Sequence, residues 1–528
     1  MKPYWKRNRS AFIGALFCIL ASTVFAVTLQ FFKGDMLDHA AAGHIPATVW
    51  YTLLLICFIL LEVGFYFGYR RLSARFSVGC AKDLKEDIWQ ATLRRSYIAY
   101  RSLPHGEYLA KYTNEADAVK TRYFDLLPML WEVLFKVLLV SAALFLLDWR
   151  IALVTLLLLT TPLYLPKLIE KRLQRAQAEA LRSAAEALAR VNDWLSGFEV
   201  IKNFSIEQQI MRRFRAANDA AAEKLLREAQ LGAMAQLITT LISYLSFFII
   251  LACSTALVLA GDFSAGDFFV AIGMVDQLSY PLISLSGIIR QLVAVRPTCA
   301  GLCTFVHAQG TEERSSMPMQ REIRFNHVGF AYQPGKLVLS DFNLVIEKGK
   351  RYLLKGPSGC GKTTAANLLL RYYDAGSGSI TVDGVPIGQC GNTYGWITVV
   401  RQEATLFRDT LRNNLTLYRE MEDSALVDML RKVGLASLAN RAALDAMVED
   451  HGANFSGGEK KRICLARALL RNTEMLILDE PLANLDDETA GRIEALLLSI
   501  PDRTLLVVSH QFSEKNLARF DAVMELAG

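Results

Sequence analysis

Six apolar stretches, each long enough to cross a bilayer, fill much of the first part of this chain and restrict what it can become. They lie at about Ala11–Phe32, Thr48–Tyr69, Leu126–Leu147, Ile151–Leu168, Leu231–Gly261 and Phe268–Val295. A helix needs roughly 20 predominantly apolar residues to span about 30 Å of hydrocarbon. The first run exceeds the roughly 7–15 apolar residues of a cleaved leader, so it is predicted to stay as the first span. Spans three and four, and spans five and six, are joined by short turns, LDWR and GDFSAGD. Long polar, helix-like stretches separate span two from three and span four from five.

Charge fixes the expected orientation. Lys2, Lys6, Arg7 and Arg9 precede span one; Arg70, Arg71, Arg75, Lys82, Lys85, Arg94 and Arg95 follow span two; Lys167, Lys171, Arg172 and Arg175 follow span four. The opposite turns carry mainly Asp35, Asp38, Asp148, Asp262 and Asp267. An excess of Lys and Arg marks the cytoplasmic side, so both termini and both long loops are predicted there, with the chain multi-pass in the cell membrane. The net charge of +6 across 528 residues follows this flanking pattern, which argues against nucleic acid as a partner and for the inner leaflet of a lipid bilayer. The nine cysteines are scattered without a CxxC pair and read as free thiols.

Some charged and polar residues interrupt the apolar runs: Glu62, Glu132, Lys136, Asp276 and Gln277. A charge at a helix centre costs roughly 2.5–3.5 kcal/mol, so each needs a partner or a wet cavity. Glu132 and Lys136 have the i,i+4 spacing of an internal pair. These positions are therefore either structural pairs, cytosolic helix extensions, or the lining of a substrate pathway.

From about Arg321 the pattern changes to alternating strand-like and helix-like segments, after a polar stretch expected to be a linker. Gly356, Pro357, Ser358, Gly359, Cys360, Gly361, Lys362, Thr363 and Thr364 match GxxxxGK[ST] between a strand-like RYLLK and a helix-like AANLLLRYY. The glycines let backbone N–H groups close around phosphate oxygens at a helix N-terminus. Lys362 is expected to reach the β- and γ-phosphates and Thr363 to ligate Mg²⁺. The apolar strand from Met475 ends in Asp479, expected beside Mg²⁺, and Glu480, placed to polarise an attacking water.

Asn454–Arg467, NFSGGEKKRICLAR, resembles the signature motif of ABC proteins, usually LSGGQ followed by a basic helix. Further motifs of that family match in order: Tyr332 resembles the aromatic that stacks on adenine, Gln402 the Q-loop glutamine, Asn484-Leu485-Asp486 the D-loop and His510 the switch histidine. Val448–Asn454 resembles the X-loop of exporter-type members, with Asp450 where Glu is usual. His105–Lys120 and Trp194–Gln208 resemble the loops that contain the coupling helices.

The resemblance implies a multidomain chain: an all-α six-helix transmembrane domain over 1–305, a linker over 306–320, and an α/β P-loop ATPase domain over 321–528. It implies ATP and Mg²⁺ as ligands, with Gln402 among the Mg²⁺ contacts and Glu480, His510, Lys362 and Gln402 catalytic. Ser456, Gly457, Gly458 and Glu459 would face the nucleotide of a second subunit. A homodimer, or a heterodimer with another half-transporter, follows, because one chain cannot complete such a site. The signature departs from the family at Phe455 and Glu459, which leaves its Ser and Gly residues intact but suggests a retuned site. The implied activity is ATP-driven transport by alternating access, most simply export of a peptide, lipid or amphipathic small molecule. Import of a metal–siderophore complex and a regulatory membrane ATPase without cargo are the alternatives.

Overall fold

A computed structural model describes residues 1–159, 167–308, 316–333, 335–357, 359–449, 452–483, 485–510 and 512–526. The chain forms two compact units, one of Met1–Leu93 with Pro104–Ala308, the other of Arg94–Leu103 with Gln309–Gly528.

The first unit is helical. Its apolar runs fall on helices Arg9–Ala41, Ile45–Leu93, Leu126–Leu147, Trp149–Leu159, Glu207–Leu259 and Ala265–Ala294. Among the described residues, four helical stretches are long and apolar enough to cross a membrane: Arg9–Ala41, Ile45–Leu93, His105–Leu147 and Glu207–Leu259. The later part of the expected fourth span, 160–166, lies outside the described residues. At 49 and 53 residues, Ile45–Leu93 and Glu207–Leu259 run well past the length that ~30 Å of hydrocarbon demands. Leu60 and Phe67, 69% and 67% exposed on the second helix, fit an apolar face turned to lipid.

Packing in this unit uses small residues and a cap. A Cβ at Gly34 would fall 2.5 Å from Val270 Cγ2 and 2.9 Å from the Gly266 carbonyl, so the first and last long helices touch where only glycine fits. Beside that contact Asp38 accepts from Ser264 Oγ at 2.6 Å and from Gly266 N at 2.7 Å, capping helix Ala265–Ala294. That helix continues through Pro281, so Asp276 and Gln277 sit within it rather than at a break.

Two expectations about the loops change. His105–Lys120 carries no separate short helix: it is helical, with two π-helical turns, and runs on into Leu126–Leu147. The short helix lies just before it, at Tyr97–Arg101, inside the segment that belongs to the second unit, where Tyr97 stacks on Tyr372 at 3.8 Å. Trp194–Gln208 does hold a short helix, Phe198–Asn203. Likewise part of the expected linker is packed structure. Met319 is fully buried, Met317 N donates to the Cys390 carbonyl at 3.0 Å, and Gln320 N donates to Asp383 Oδ2 at 2.6 Å. Residues 309–315 lie outside the described set.

Among its described residues the second unit has two sheets. Strands β1 (Glu322–Gln333), β2 (Lys336–Glu347), β4 (Ser377–Val382) and β5 (Val385–Pro386) form an antiparallel sheet in the order β2-β1-β4-β5. Strands β3 (Arg351–Lys355), β6 (Ile397–Val400), β7 (Met475–Asp479), β8 (Thr504–Val508) and β9 (Ala522–Glu525) form a parallel sheet in the order β6-β7-β8-β3-β9. A parallel sheet covered on both faces needs continuous apolar strands whose side chains alternate between two cores. Leu353, Leu476, Leu478, Leu505 and Val507 enter one core with the helical part of the unit. Leu354, Ile477, Leu506 and Val508 enter the other with β1, β2 and helix Lys362–Leu369. This double burial explains why the MLILD run reads as a strand despite lacking a polar face, and TLLVV at Thr504–Val508 has the same character.

Candidate nucleotide site

The parallel register brings the expected residues to one edge. Val400 pairs with Leu478, Asp479 with Val508, and Leu354 with Val508, so Gln402, Asp479, Glu480, Ser509, His510 and the P-loop all follow the carboxyl ends of neighbouring strands. Ligands of open α/β sheets bind in the crevice beyond those ends.

The P-loop turns tightly between β3 and helix Lys362–Leu369. Gly361 caps that helix at φ +99°, and a Cβ there would fall 2.5 Å from Leu339 Cδ2 and 3.0 Å from the Val338 carbonyl. Gly356, at φ +150°, is equally confined: a Cβ there would fall 2.6 Å from the Leu526 carbonyl. Lys362 is buried, and its Nζ donates to the carbonyls of Gly356 and Pro357, both at 2.8 Å. Its ammonium therefore already sits inside the loop that the spacing assigns to phosphates. Cys360 is buried beside it, its Sγ 3.7 Å from Lys362 Nζ. Ser358 lies outside the described residues.

The carboxylates divide the labour by burial. Thr363 Oγ1 donates to Asp479 Oδ2 at 3.1 Å, placing a hydroxyl and a carboxylate together as hard oxygen donors. Burial pushes the Asp479 carboxyl upward, partly offset by the Thr363 hydrogen bond. A cation at that pair would supply the missing counter-charge. Glu480 stands one residue past the strand, at φ +50°, a left-handed conformation that non-glycine residues rarely adopt. Its Oε1 is 2.9 Å from His510 Nδ1, and Ser509 Oγ donates to its Oε2 at 3.4 Å. The histidine's side chain is 62% exposed and that of Glu480 only 12%, so the imidazole covers the acid from the solvent side.

Tyr332 is half-exposed, its hydroxyl 3.0 Å from Thr364 Oγ1 and its ring edge-on to Phe330 and Tyr373. It thus presents an aromatic surface at the start of the P-loop helix, where a base could stack. Gln402 is exposed on the loop after β6. Asp486 caps helix Asp487–Ser499 by accepting from Thr489 N at 2.9 Å; Asn484 and Asp450 lie outside the described residues.

The signature helix, Gly457–Arg471, begins at Ser456, and Phe455 packs against the core. One residue missing from the expected set lies on it. Lys461 is 5% exposed, and its Nζ donates to the carbonyls of Glu480 at 2.8 Å and Ala483 at 3.1 Å. Burial pulls its ammonium pKa down, while the charges of Glu480 and Asp479 oppose that shift. A second tie runs through buried Asn414: Arg467 donates to the Asn414 carbonyl at 2.6 Å and to the Thr405 carbonyl at 3.0 Å. Nothing in the spacing of a basic helix distinguishes a solvated lysine from one aimed at the catalytic turn.

In the membrane unit Lys136 donates to Glu132 at 2.8 Å, so these two residues hold each other. Gln277 Nε2 donates to the Ala26 carbonyl at 3.1 Å, tying the last long helix to the first. Glu62 is half-buried and Asp276 exposed, and neither is brought to the Glu132–Lys136 pair by a hydrogen bond among the described residues.

Comparison with known proteins agrees with this arrangement. Residues 11–282 match the family model for the ABC transporter transmembrane region, and residues 339–483 match the family model described as ABC transporter. An uncharacterised ABC transporter ATP-binding protein of Bacillus subtilis is 25% identical, over 97% of this chain and 90% of its own. An ATP-dependent lipid A-core flippase of Pseudomonas fluorescens is 28% identical, over 88% and 78%. A fatty acid ABC transporter of Mycobacterium tuberculosis is 27% identical, over 81% and 70%. The solved structure of a bacterial Atm1-family ABC exporter with ATP bound superposes at a TM-score of 0.82, with 22% identity, covering 98% of this chain and 93% of that one. The chain belongs to the ABC transporter superfamily: it is an ATP-hydrolysing membrane transporter of exporter fold, with membrane and ATPase domains fused in one polypeptide.

Proposed function

We propose that this chain is one half of a dimeric exporter for an amphipathic lipid-like, peptide or small-molecule substrate, working from the cytosolic side of the cell membrane. The observation that carries the ATP-driven part is the convergence of Lys362, Thr363, Asp479, Glu480 and His510 at one sheet edge. In this reading ATP lies along the P-loop with its base on Tyr332, and Lys362 moves from the loop carbonyls to the phosphates. Thr363 and Asp479, with Gln402 on the neighbouring loop, would hold Mg²⁺, whose charge would offset that of the phosphates. Glu480 accepts the proton of the attacking water while His510 steadies its carboxylate. Ser456–Gly458 cap the nucleotide of the second subunit, and ATP drives the cycle by binding the closed pair more tightly than the open one. The lipid and fatty-acid relatives support an amphipathic cargo.

The test is ATPase activity in nanodiscs against a panel of lipids, peptides and amphipathic drugs, paired with accumulation in inside-out vesicles. Stimulation and ATP-dependent uptake by one class are expected. A flat ATPase response to the whole panel, with no vesicle accumulation, overturns the exporter reading.

Lys461 enters as a positioning residue, holding the carbonyl of the left-handed Glu480. Lys461→Met keeps the apolar stem but leaves two acceptors without a donor, a loss of about 1–3 kcal/mol. ATP turnover is expected to fall roughly tenfold or more with KM for ATP unchanged, and Lys461→Arg, which keeps the charge and the N–H donors, to recover part of it. Equal losses in both variants, with a matching drop in Tm, would mark Lys461 as structural only.

A further inference from the structure

The first turn of the signature helix is occupied by its own side chain. Glu459 N donates to Ser456 Oγ at 3.3 Å. In return a single carboxylate oxygen, Glu459 Oε2, accepts from both Ser456 N and Ser456 Oγ, each at 2.8 Å. This is a complete capping box on a helix of 15 residues. The hydrogen bonds from Ser456 hold the Glu459 carboxyl below its ordinary range, with a weaker pull from Arg462, so it is charged at neutral pH.

The position gives this box a consequence beyond stability. A helix N-terminus attracts anions through its free N–H groups and its partial positive charge. Here a fixed carboxylate takes up the two donors of Ser456 and places a negative charge in that same first turn. Glutamine, the usual residue, can also accept from Ser456 through its amide oxygen, but carries no charge. A phosphate arriving at Ser456 in this chain must displace a charge-assisted bond and approach a like charge.

We infer that Glu459 is a built-in competitor for the γ-phosphate, so that this chain's signature caps a second subunit's ATP only at raised ATP concentration. The inference rests on the composite-site reading proposed above. It assigns Glu459 the role of setting the ATP threshold for closure. Glu480 and Lys362 keep their parts in hydrolysis and binding.

The test uses the full chain in nanodiscs, as purified, carrying Glu480→Gln to hold ATP uncleaved. Closure is followed by the distance between spin labels on the two ATPase domains during titration with Mg-ATP. Glu459→Gln is expected to lower the half-closing ATP concentration about tenfold, the difference between charged and neutral hydrogen bonding. Glu459→Asp, which keeps the charge, should stay nearer the parent, and the advantage of Gln should shrink when Ser456→Ala is added. An unchanged or raised threshold in Glu459→Gln, with or without a lower Tm, reduces Glu459 to a helix cap and overturns the inference alone. Absence of ATP-driven closure in every variant, the parent included, overturns the composite site itself.

Discussion

Glu480→Gln is expected to lower ATP turnover by about 10²–10⁴-fold while nucleotide binding stays close to that of the parent. The substitution preserves size and shape, and a glutamine amide can still meet His510 Nδ1, which lies 2.9 Å from the present carboxylate. What it removes is the capacity to accept a proton. The other hydrogen bonds of the site, Asp479 with Thr363 and Lys362 with the P-loop carbonyls, do not involve the Glu480 side chain and should hold their places. Steady-state phosphate release and binding of a fluorescent ATP analogue measure the two effects separately. Turnover within tenfold of the parent would remove Glu480 from the role of base.

Lys362→Met should fail at an earlier stage. The ammonium is fixed by two carbonyls at 2.8 Å, and methionine can neither satisfy them nor meet a phosphate. Removing a preorganised donor from a site of developing charge costs about 10²–10³ in turnover. The carbonyls of Gly356 and Pro357 also lose their donor, which loosens the loop itself. The same fluorescent analogue should therefore bind far more weakly, in contrast to Glu480→Gln. Retained binding with parent-like affinity would place the phosphates away from Lys362. Lys362→Arg is not a conservative control, because its planar fork does not fit a pocket shaped for a point charge.

Much of this site was legible because its chemistry depends on short, ordered motifs. The P-loop lies between β3 and its helix as its spacing requires, and the MLILD run becomes a strand buried on both faces. The apolar runs likewise fall on helices, since length and hydropathy are local properties. What was not legible depends on contacts between distant residues. Lys461 reads as one more cation in a basic helix until it meets the Glu480 and Ala483 carbonyls. Ser316–Gln320 reads as polar linker, yet Asp383 and Cys390 draw its backbone into the second unit. The split into an antiparallel and a parallel sheet was not legible, because alternation of strands and helices leaves strand pairing open. The short helix Tyr97–Arg101 was not legible, because five residues are too few to show a helical period.

The left-handed backbone at Glu480 limits how an inert version of this subunit can be made. Crowding of Cβ against the following carbonyl makes that conformation cost about 1–2 kcal/mol for most side chains, and β-branched residues fare worse. Gln inherits the same penalty as Glu, so lost turnover in that variant reports chemistry. Gly would relax the turn and Val would strain it further, and either could silence the subunit through altered backbone alone. Mixed dimers assembled to ask whether one working half suffices are therefore interpretable only when the silent half carries the isosteric amide.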